Sequence, residues 1–285
     1  MMRLRKKINL ITLLCLSFYI PASMAGGFYS GPGSASNDLT AGPLNNAAAG
    51  YDSSTAFSNP AALTLLNQDR NLAMSTTLGF VTQKFNGTVA VNLPFYRPIT
   101  GQDTENTIGV LPSLYYSIPI NPKWVVALGV NTPFGSFSAT GGGNINVNTQ
   151  YYSTFGLFLV NDAGVYVGYQ INDKLSIGGG IAAEYMQQKQ SNAVPVGFGL
   201  VASQSLTVSD FQPAGNIGIL YQFTPQTRVG LSYRFSVSHH MTGGSSMQFL
   251  GSAPASININ LPAISSLSLH HDFNNQWGGG FNIGI

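Results

Sequence analysis

The most constraining feature of this sequence is the near-complete alternation of apolar and polar residues along residues 228–239. One face would carry Val229, Leu231, Tyr233, Phe235 and Val237, and the other Arg228, Gly230, Ser232, Arg234, Ser236 and Ser238. A period of two places alternate side chains on opposite faces of a β-strand. Residues 151–171 and 175–185 repeat the pattern, with Asp162 and Glu184 on the polar face. The alternation therefore predicts an all-β, antiparallel sheet of long strands with one apolar face.

Short turn signals recur about every 50 residues and alternate with longer polar stretches. The turns are Asn121-Pro122-Lys123, Asn172-Asp173, Thr224-Pro225-Gln226 and Asn274-Asn275-Gln276, and the Gly/Ser/Asn-rich stretches span 138–148, 191–210 and 242–254. Short turns at one end and long loops at the other are typical of a transmembrane β-barrel, with the short turns in the periplasm. Aromatic residues lie beside the short turns, where an interfacial girdle is expected: Trp124, Tyr169, Tyr221, Phe223, Phe273 and Trp277.

Composition favours this barrel over the alternative, a secreted two-sheet sandwich. Charged residues make up only 8% of the chain, against about 25% in an ordinary globular domain. Four of the twelve Lys and Arg residues lie near the N-terminus, which leaves eight against ten Asp and Glu in the rest. Because the chain lacks a basic surface to neutralise phosphates, no nucleic-acid partner is expected.

The N-terminus has the parts of a secretory signal peptide. Four basic residues precede a mostly apolar run over residues 8–20, and Ser23-Met24-Ala25 offers small residues for cleavage. The run is shorter than the roughly 20 residues of a spanning helix. Residues 1–25 are therefore predicted to be removed on export, and Cys15, the only cysteine, with them. No disulfide, metal site or cofactor is expected in the exported chain.

Residues 26–70 are predicted to form a plug ahead of the barrel wall, which is assigned to residues 71–285. The plug is rich in small residues over 47–64 and contains Asn59-Pro60-Ala61, which suits neither a strand nor a stable helix. About eight strands are expected in the wall, at 71–92, 108–119, 124–137, 149–171, 174–190, 211–223, 228–241 and 255–273, with a ninth starting at Trp277. Closed bacterial barrels usually have an even number of strands, so the count predicts a wall that is incomplete at the C-terminus.

Several segments together carry a family resemblance. They are Ala41-Gly42, residues 47–49, the run from Asp52 to Thr64 that contains Asn59-Pro60-Ala61, Pro119-Ile120-Asn121, Thr132-Pro133-Phe134-Gly135, residues 215–223 and Leu261-Pro262. On these segments the chain resembles the outer-membrane long-chain fatty acid transporter (FadL-type) family, which includes aromatic-hydrocarbon channels. The resemblance implies a barrel of about fourteen strands with an N-terminal hatch, of which this chain covers about the first two thirds.

The resemblance implies passive uptake of hydrophobic molecules, either long-chain fatty acids or aromatic hydrocarbons, across the bacterial outer membrane. Asn59-Pro60-Ala61 would be the hatch switch, and the alternative is an ordinary turn into the first strand. Pro133, Phe134 and Gly135 would form a kink in the third strand that opens a lateral route into the membrane, and the alternative is a plain strand end. The other expected partners are membrane lipid and the outer-membrane insertion machinery, and the protein is expected to be a monomer.

The residues expected to contact the ligand are Phe28, Tyr29, Phe57, Tyr185, Lys189, Phe198, Leu200 and Arg234. Lys189 and Arg234 are candidate lumen-facing cations for a carboxylate head group, although Arg234 could equally pair with Glu184. An arginine that family members often carry near Gln187 is absent here, which leaves room for uncharged hydrocarbons. Phe198 and Leu200 would line an apolar groove between extracellular loops, or pack as lipid-facing residues.

No enzymatic site is predicted. His239-His240 and His270-His271 are adjacent pairs, so their side chains would point to opposite faces of a strand and could not share one metal ion. Gly141-Gly142-Gly143 lacks the basic and hydroxyl partners of a phosphate loop. Two further interpretations stand beside transport: a truncated, non-transporting outer-membrane remnant, and a general porin.

Overall fold

A computed structural model of the chain describes residues 29–31, 34, 46–93, 95–139, 150–151, 153–197, 200–274 and 277–284. The predicted signal peptide, Ala41-Gly42 and two of the predicted ligand contacts, Phe28 and Phe198, lie outside these residues. Most of the predicted plug and wall lies within the described residues.

The described chain begins with two short helices and continues as strands. The helix α1 (Thr55–Ser58) is followed by a 3-10 helix (Pro60–Leu66). The strands are β1 (Asn71–Leu93), β2 (Phe95–Asn121), β3 (Trp124–Ala139), β4 (Phe155–Gln170), β5 (Leu175–Gly197), β6 (Leu200–Thr224), β7 (Thr227–Arg234), β8 (Val237–Met247), β9 (Gly251–Leu261), β10 (Ile264–Asp272) and β11 (Gly278–Gly284). None of the helices in the described residues is long and apolar enough to cross a membrane.

All strands belong to one antiparallel sheet that curls into a half-barrel. Along the main path, neighbours in sequence are neighbours in the sheet from β1 to β7, and β10 and β11 follow. The hairpin of β8 and β9 branches from this path because β8 pairs with the first part of β6. The predicted fold class, an antiparallel transmembrane β-barrel, is confirmed.

The short turns lie where the sequence predicts them, and polar side chains close each one. Asn121 Oδ1 accepts the N–H groups of Lys123 and Trp124, at 2.9 and 3.0 Å. Asn172 and the Thr224 hydroxyl bond the backbone of the next two turns in the same way. These side chains replace missing backbone partners, which is why Asn and Thr occur here. Beside the turns, the rings of Trp124 and Tyr169 stack at 4.3 Å.

The strands extend further than the sequence predicts at the opposite end of the sheet. Residues 191–197 and 200–210, expected to belong to a loop, continue β5 and β6, whose register runs from Leu175↔Tyr221 to Pro195↔Val201. Residues 242–254 likewise belong mostly to the hairpin of β8 and β9. Gly, Ser and Asn disfavour strands only weakly, and pairing with a neighbouring strand overrides that preference. The expectation of long loops at these two places is therefore wrong.

The predicted strand 228–241 is broken into β7 and β8 at Phe235 and Ser236. Arg234 of β7 pairs with Asn216 of β6, whereas Thr242 of β8 pairs with Ser209 of β6. The β7–β8 side thus contains one residue more than β6 over the same interval, which is the definition of a β-bulge. The extra residue reverses the alternation, so Val237 is buried and Ser238 is exposed. The predicted faces of these last two residues are wrong for that reason.

Candidate functional site

Residues 46–67, which we call the inner segment, lie against the inner face of the curled sheet. The Ala47 N–H donates to Ser268 Oγ of β10 at 2.9 Å, and the Ser53 hydroxyl donates to the Tyr115 carbonyl of β2 at 2.9 Å. The two strands are far apart in the order of the sheet. One short segment can contact both only because the sheet wraps around it.

Glycines on the inner face allow the inner segment to approach the wall closely. A Cβ atom on Gly178 of β5 would collide with the backbone of Pro60 and Ala61, and one on Gly230 of β7 would collide with the Ala47 carbonyl. Gly168 of β4 would place a Cβ atom 2.7 Å from the Pro60 carbonyl oxygen. Strand glycines often mark such sites of close backbone approach. The Gly residues that alternate with apolar residues in the sequence therefore form the seat of the inner segment.

Asn59 joins the two helices to each other and to the wall. Its N–H donates to the Thr55 carbonyl at 2.7 Å and ends α1, while its Oδ1 accepts the Ala61 N–H at 3.0 Å and caps the 3-10 helix. Its Nδ2 donates to the carbonyls of Ala47, at 2.5 Å, and Ile219 of β6, at 3.1 Å. Asn59 is completely buried. All of these bonds would have to break if this residue moved, so Asn59-Pro60-Ala61 is a tightly fastened element in this structure.

Arg228 of β7 holds the start of the inner segment. Its Nε donates to the Ala48 carbonyl at 2.6 Å and its Nη2 to the Ala49 carbonyl at 2.8 Å. Its Nη1 forms an ion pair with Asp272 of β10 at 2.6 Å. Sequence analysis places Arg228 on the inner face but does not identify this role, because its carbonyl partners lie 180 and 179 positions away.

A tyrosine of the inner segment extends this cluster. Tyr51 O–H lies 2.7 Å from Nε2 of His270, which also lies 3.0 Å from Asp272. Burial, and secondly the negative charge of Asp272, raise the pKa of Tyr51. Tyr51 therefore stays protonated and is able to donate a hydrogen bond at neutral pH.

Charged side chains form a belt on the inner face, which we call the inner belt: Asp162, Glu184, Asp210, Arg234 and His239. Arg234 Nη2 lies 2.9 Å from Asp162 and is also ion-paired with Glu184. His239 Nε2 lies 2.9 Å from the second Glu184 oxygen, and its Nδ1 lies 3.3 Å from Asp210. Of the two roles weighed for Arg234, the structure shows the ion pair with Glu184. Asp210 and His239 were not predicted, and their partners are 29 and more positions apart in sequence.

Arg234 of the inner belt and its neighbour Asn216 on β6 both contact the inner segment. The Arg234 guanidinium carbon lies 5.0 Å from the centre of the Phe57 ring, within cation–π range. Asn216 of β6 donates to the carbonyls of Ala56, at 3.1 Å, and Phe57, at 2.7 Å. The predicted ligand contact Phe57 is 2% exposed, so in this structure it packs inside the protein beneath Arg234.

On the side of the inner belt away from the short turns, the inner face becomes apolar. The buried residues of this patch, which we call the apolar cluster, are Phe134, Val160, Met186, Val208, Met241 and Leu261. Tyr29 packs against them, with its ring centre 5.2 Å from that of Phe134. Val160, Met186 and Met241 are each two residues from a member of the inner belt on the same strand. The predicted residues Tyr29 and Phe134 are thus brought together beside the belt.

The predicted kink in β3 coincides with a register shift between Asn131 and Phe134. Inside the bulge, the carbonyls of Thr132 and Pro133 accept hydrogen bonds from Ser30, at 2.6 Å from its hydroxyl and 2.8 Å from its N–H. Proline lacks an N–H and is tolerated in a sheet at such irregular positions. The structure therefore has an irregular strand at Pro133, and not a plain strand end.

The pairing of β2 with β3 stops next to this bulge. The register runs from Asn121↔Trp124 to Leu114↔Val130. Beyond it, within the described residues, β2 pairs with β1, and β3 pairs with β4 and forms one isolated bridge between Phe134 and Tyr29. We call the region where β2 and β3 do not pair with each other, residues 109–113 of β2 and 131–137 of β3, the β2–β3 seam. Side chains fill it: the Phe137 ring lies over Gly109, and Leu111 Cδ2 is 3.1 Å from the position of a Cβ on Gly135. No backbone ladder holds the seam closed.

Two predicted ligand residues lie elsewhere. Glu184 and Met186 of β5 are buried on the inner face, and the unbroken register of β5 places Tyr185 and Lys189 on the opposite, outer face. The ring of Tyr185 lies 4.6 Å from that of Phe211, which is 68% exposed. The prediction that Lys189 and Arg234 share the lumen is therefore wrong, because the period of two puts them on opposite faces. Leu200 is exposed at the start of β6.

Within the described residues, no group of three or more His, Cys, Asp or Glu side chains could hold a metal ion. The inner belt comes nearest in composition, but Arg234 occupies its centre. What the inner face offers chemically is a packed apolar cluster next to a compensated ionic cluster.

Comparison with known proteins gives one family and several structural relatives. The family model described as "Outer membrane protein transport protein (OMPP1/FadL/TodX)" matches residues 17–284. A FadL homologue from Pseudomonas aeruginosa superimposes with a TM-score of 0.74 at 16% identity, over 90% of this chain and 69% of that one. The toluene transporter TbuX of Ralstonia pickettii gives 0.64 at 19% identity, over 89% and 70%. The toluene transporter TodX of Pseudomonas putida gives 0.60 at 17% identity, over 85% and 66%. No curated protein matches the chain.

Proposed function

We propose that this chain, which belongs to the OMPP1/FadL/TodX family of outer membrane transport proteins, takes up hydrophobic molecules passively across the bacterial outer membrane. The molecules are long-chain fatty acids or aromatic hydrocarbons. The ligand is received in the apolar cluster, and a rearrangement of the inner segment around Asn59-Pro60-Ala61 then lets it leave sideways into the membrane. An apolar molecule gains about 25 cal/mol for each Å² that stays out of water, so a lateral exit is more favourable than an aqueous one.

The single observation that carries this proposal is the β2–β3 seam. In hydrocarbon, an unpaired backbone group costs several kcal/mol, so interrupted pairing in a wall strand requires compensation. Pro112 and Pro133 border the seam and have no N–H to satisfy, and Ser30 bonds the carbonyls of the bulge. Apolar side chains close the rest. An opening that is closed by side chains can widen without breaking backbone hydrogen bonds between two strands.

The general porin is a weaker alternative because it needs a water-filled lumen. At the end near the short turns, the inner face of this sheet is instead covered by the inner segment. Beyond the inner belt it carries the buried apolar cluster. The non-transporting remnant is separated from the transporter by the uptake experiment that follows.

The experiment locks the seam with a disulfide. Leu111→Cys and Gly135→Cys face each other across it, and the exported chain is expected to have no other cysteine. Cells expressing the pair should take up labelled toluene or a labelled long-chain fatty acid when the pair is reduced, and at least fivefold more slowly when it is oxidised. The matched control is Ser205→Cys with Ser246→Cys, whose hydroxyl oxygens are 2.8 Å apart in the intact ladder of β6 and β8.

The control pair should give the same uptake in both redox states. Uptake by the unmodified chain that does not exceed a vector control rejects transport and favours the remnant. Normal uptake with the seam pair fully oxidised rejects the lateral route and leaves transport standing.

A further inference from the structure

We propose that the ligand site selects uncharged hydrophobic molecules and excludes carboxylates, because the inner-face cations of the described structure are already neutralised. The inference rests on the proposed function and names the substrate class for the same site.

The charge of Arg234 is already compensated by two carboxylates. Its guanidinium is ion-paired with Asp162 and Glu184, and the Phe57 ring covers it at 5.0 Å. Its side chain is only 5% exposed. A ligand carboxylate would be a third carboxylate at one buried guanidinium and would compete with Asp162 and Glu184 for its charge.

Arg228 is satisfied in the same way. It uses its Nε and both terminal nitrogens on Ala48, Ala49 and Asp272. It also lies beneath the inner segment, where a ligand in the apolar cluster does not reach it.

The other Lys and Arg residues whose side chains the structure describes do not belong to the inner belt or the apolar cluster. Lys189 lies on the outer face of β5. Arg70, Lys84, Lys123 and Lys174 are exposed.

The net charge of the inner belt also disfavours an anion. Asp162, Glu184 and Asp210 face one guanidinium and one imidazole, and His239 is itself placed between Glu184 and Asp210. The three carboxyl groups outnumber the guanidinium and the imidazole. An additional carboxylate would therefore meet like charge in a region of low dielectric constant, where repulsion is stronger than in water.

The apolar cluster adjoins this negative belt directly. Val160 is two residues from Asp162 on β4, Met186 is two residues from Glu184 on β5, and Met241 is two residues from His239 on β8. Residues two apart on a strand share a face. A molecule lodged among these side chains therefore touches the belt with one end, and only an uncharged end avoids the repulsion.

The test compares a fatty acid anion with its uncharged methyl ester and with an uncharged aromatic hydrocarbon. Binding of dodecanoate, methyl dodecanoate and toluene to the purified protein is measured at pH 8, where the acid is ionised. We expect the methyl ester to bind at least tenfold more tightly than dodecanoate, and toluene to bind as well. Dodecanoate binding equal to or tighter than the ester overturns the inference while leaving the proposed function intact. If none of the three binds, the proposed function fails, and this inference with it.

Variants then locate the cause in the inner belt. Glu184→Gln keeps the shape of the side chain and removes one negative charge beside Arg234, so dodecanoate affinity should rise about tenfold while ester affinity stays the same. Asp210→Asn makes the same change at a partly exposed position and remains informative if the buried variant does not fold. Lys174→Gln, in an exposed turn, should leave the ratio of the two affinities unchanged. An unaltered ratio in both belt variants overturns the assignment.

Discussion

At the scale of single residues, the interior depends on side chains that bond backbone from a distant part of the chain. Arg228, Asn216 and Ser268 of the wall all bind backbone groups of the inner segment. The alternation along residues 228–239 predicts correctly that Arg228 and Arg234 point inward. It does not predict that Arg228 binds carbonyls of the inner segment, because a carbonyl partner leaves no mark in the sequence.

We expect Arg228→Ala to loosen the inner segment. The change removes two charge-assisted hydrogen bonds and an ion pair, and because Asp272 is partly exposed, the loss should be about 2 kcal/mol. Ser58→Cys, at a buried position, serves as a reporter whose reaction with a thiol reagent follows opening of the segment. Its reaction should be roughly 30-fold faster. Arg228→Lys should give a smaller effect, and Arg70→Ala, an exposed change, none; equal rates in all variants would show that Arg228 holds nothing.

Two adjacent glycines allow a matched test of the seat beneath the 3-10 helix. The Cβ of Gly178→Ala would collide with the backbone of Pro60 and Ala61, whereas that of Gly179→Ala would meet its nearest atom, the Asn216 carbonyl oxygen, at 3.6 Å. Overpacking of this kind costs about 1–3 kcal/mol. Labelling of the Ser58→Cys reporter should therefore accelerate in Gly178→Ala only. Equal labelling in both variants would mean that the inner segment does not rest on β5.

At the scale of elements, the bulge at Phe235 and Ser236 decides which way the second half of a long strand faces. The strand structure is also interrupted at the matching place, between the neighbouring strands β9 and β10. The buried position before this break is the odd-numbered Leu261, and those after it are the even-numbered Ser266 and Ser268. The sequence could not reveal the break, because Val237 and Ser238 can each lie on either face of the sheet at little cost in free energy. The break is determined by the pairing of β8 with β6, which joins residues that are far apart in the sequence.

A cysteine scan along this strand should therefore change phase. Single cysteines at Leu231, Tyr233 and Phe235 should react with a membrane-permeant maleimide, as should those at Ser238 and His240, because all five positions are exposed. Cysteines at Ser232, Val237 and Met241 should react at least tenfold more slowly. Reaction at Val237 together with protection at Ser238 would contradict the bulge.

At the scale of the whole molecule, the sequence was sufficient to predict the fold class, the end of the sheet that carries the short turns, and the family. These properties rest on local signals: a period of two, turn residues and low charge. The extended hairpins of β5–β6 and β8–β9 could not be predicted in the same way, because small polar residues read as loops when their pairing partner is unknown. The inner belt was predicted only in part. The pair of Arg234 with Glu184 was one of two alternatives, whereas the contacts of His239 with Glu184 and Asp210 were not predicted, because these partners are distant in the sequence.

The contacts of the inner segment also set an order of events in folding. Neighbouring strands form local hairpins, but Ala47 bonds a residue 221 positions later and Asn59 one 160 positions later. Contacts of such long separation form slowly, because the intervening chain must be ordered first. The segment that is synthesised first must therefore dock after the wall has curled. Its many alanines, serines and asparagines suit that delay, because a chain poor in large apolar and β-branched side chains can remain unpaired in water without aggregating.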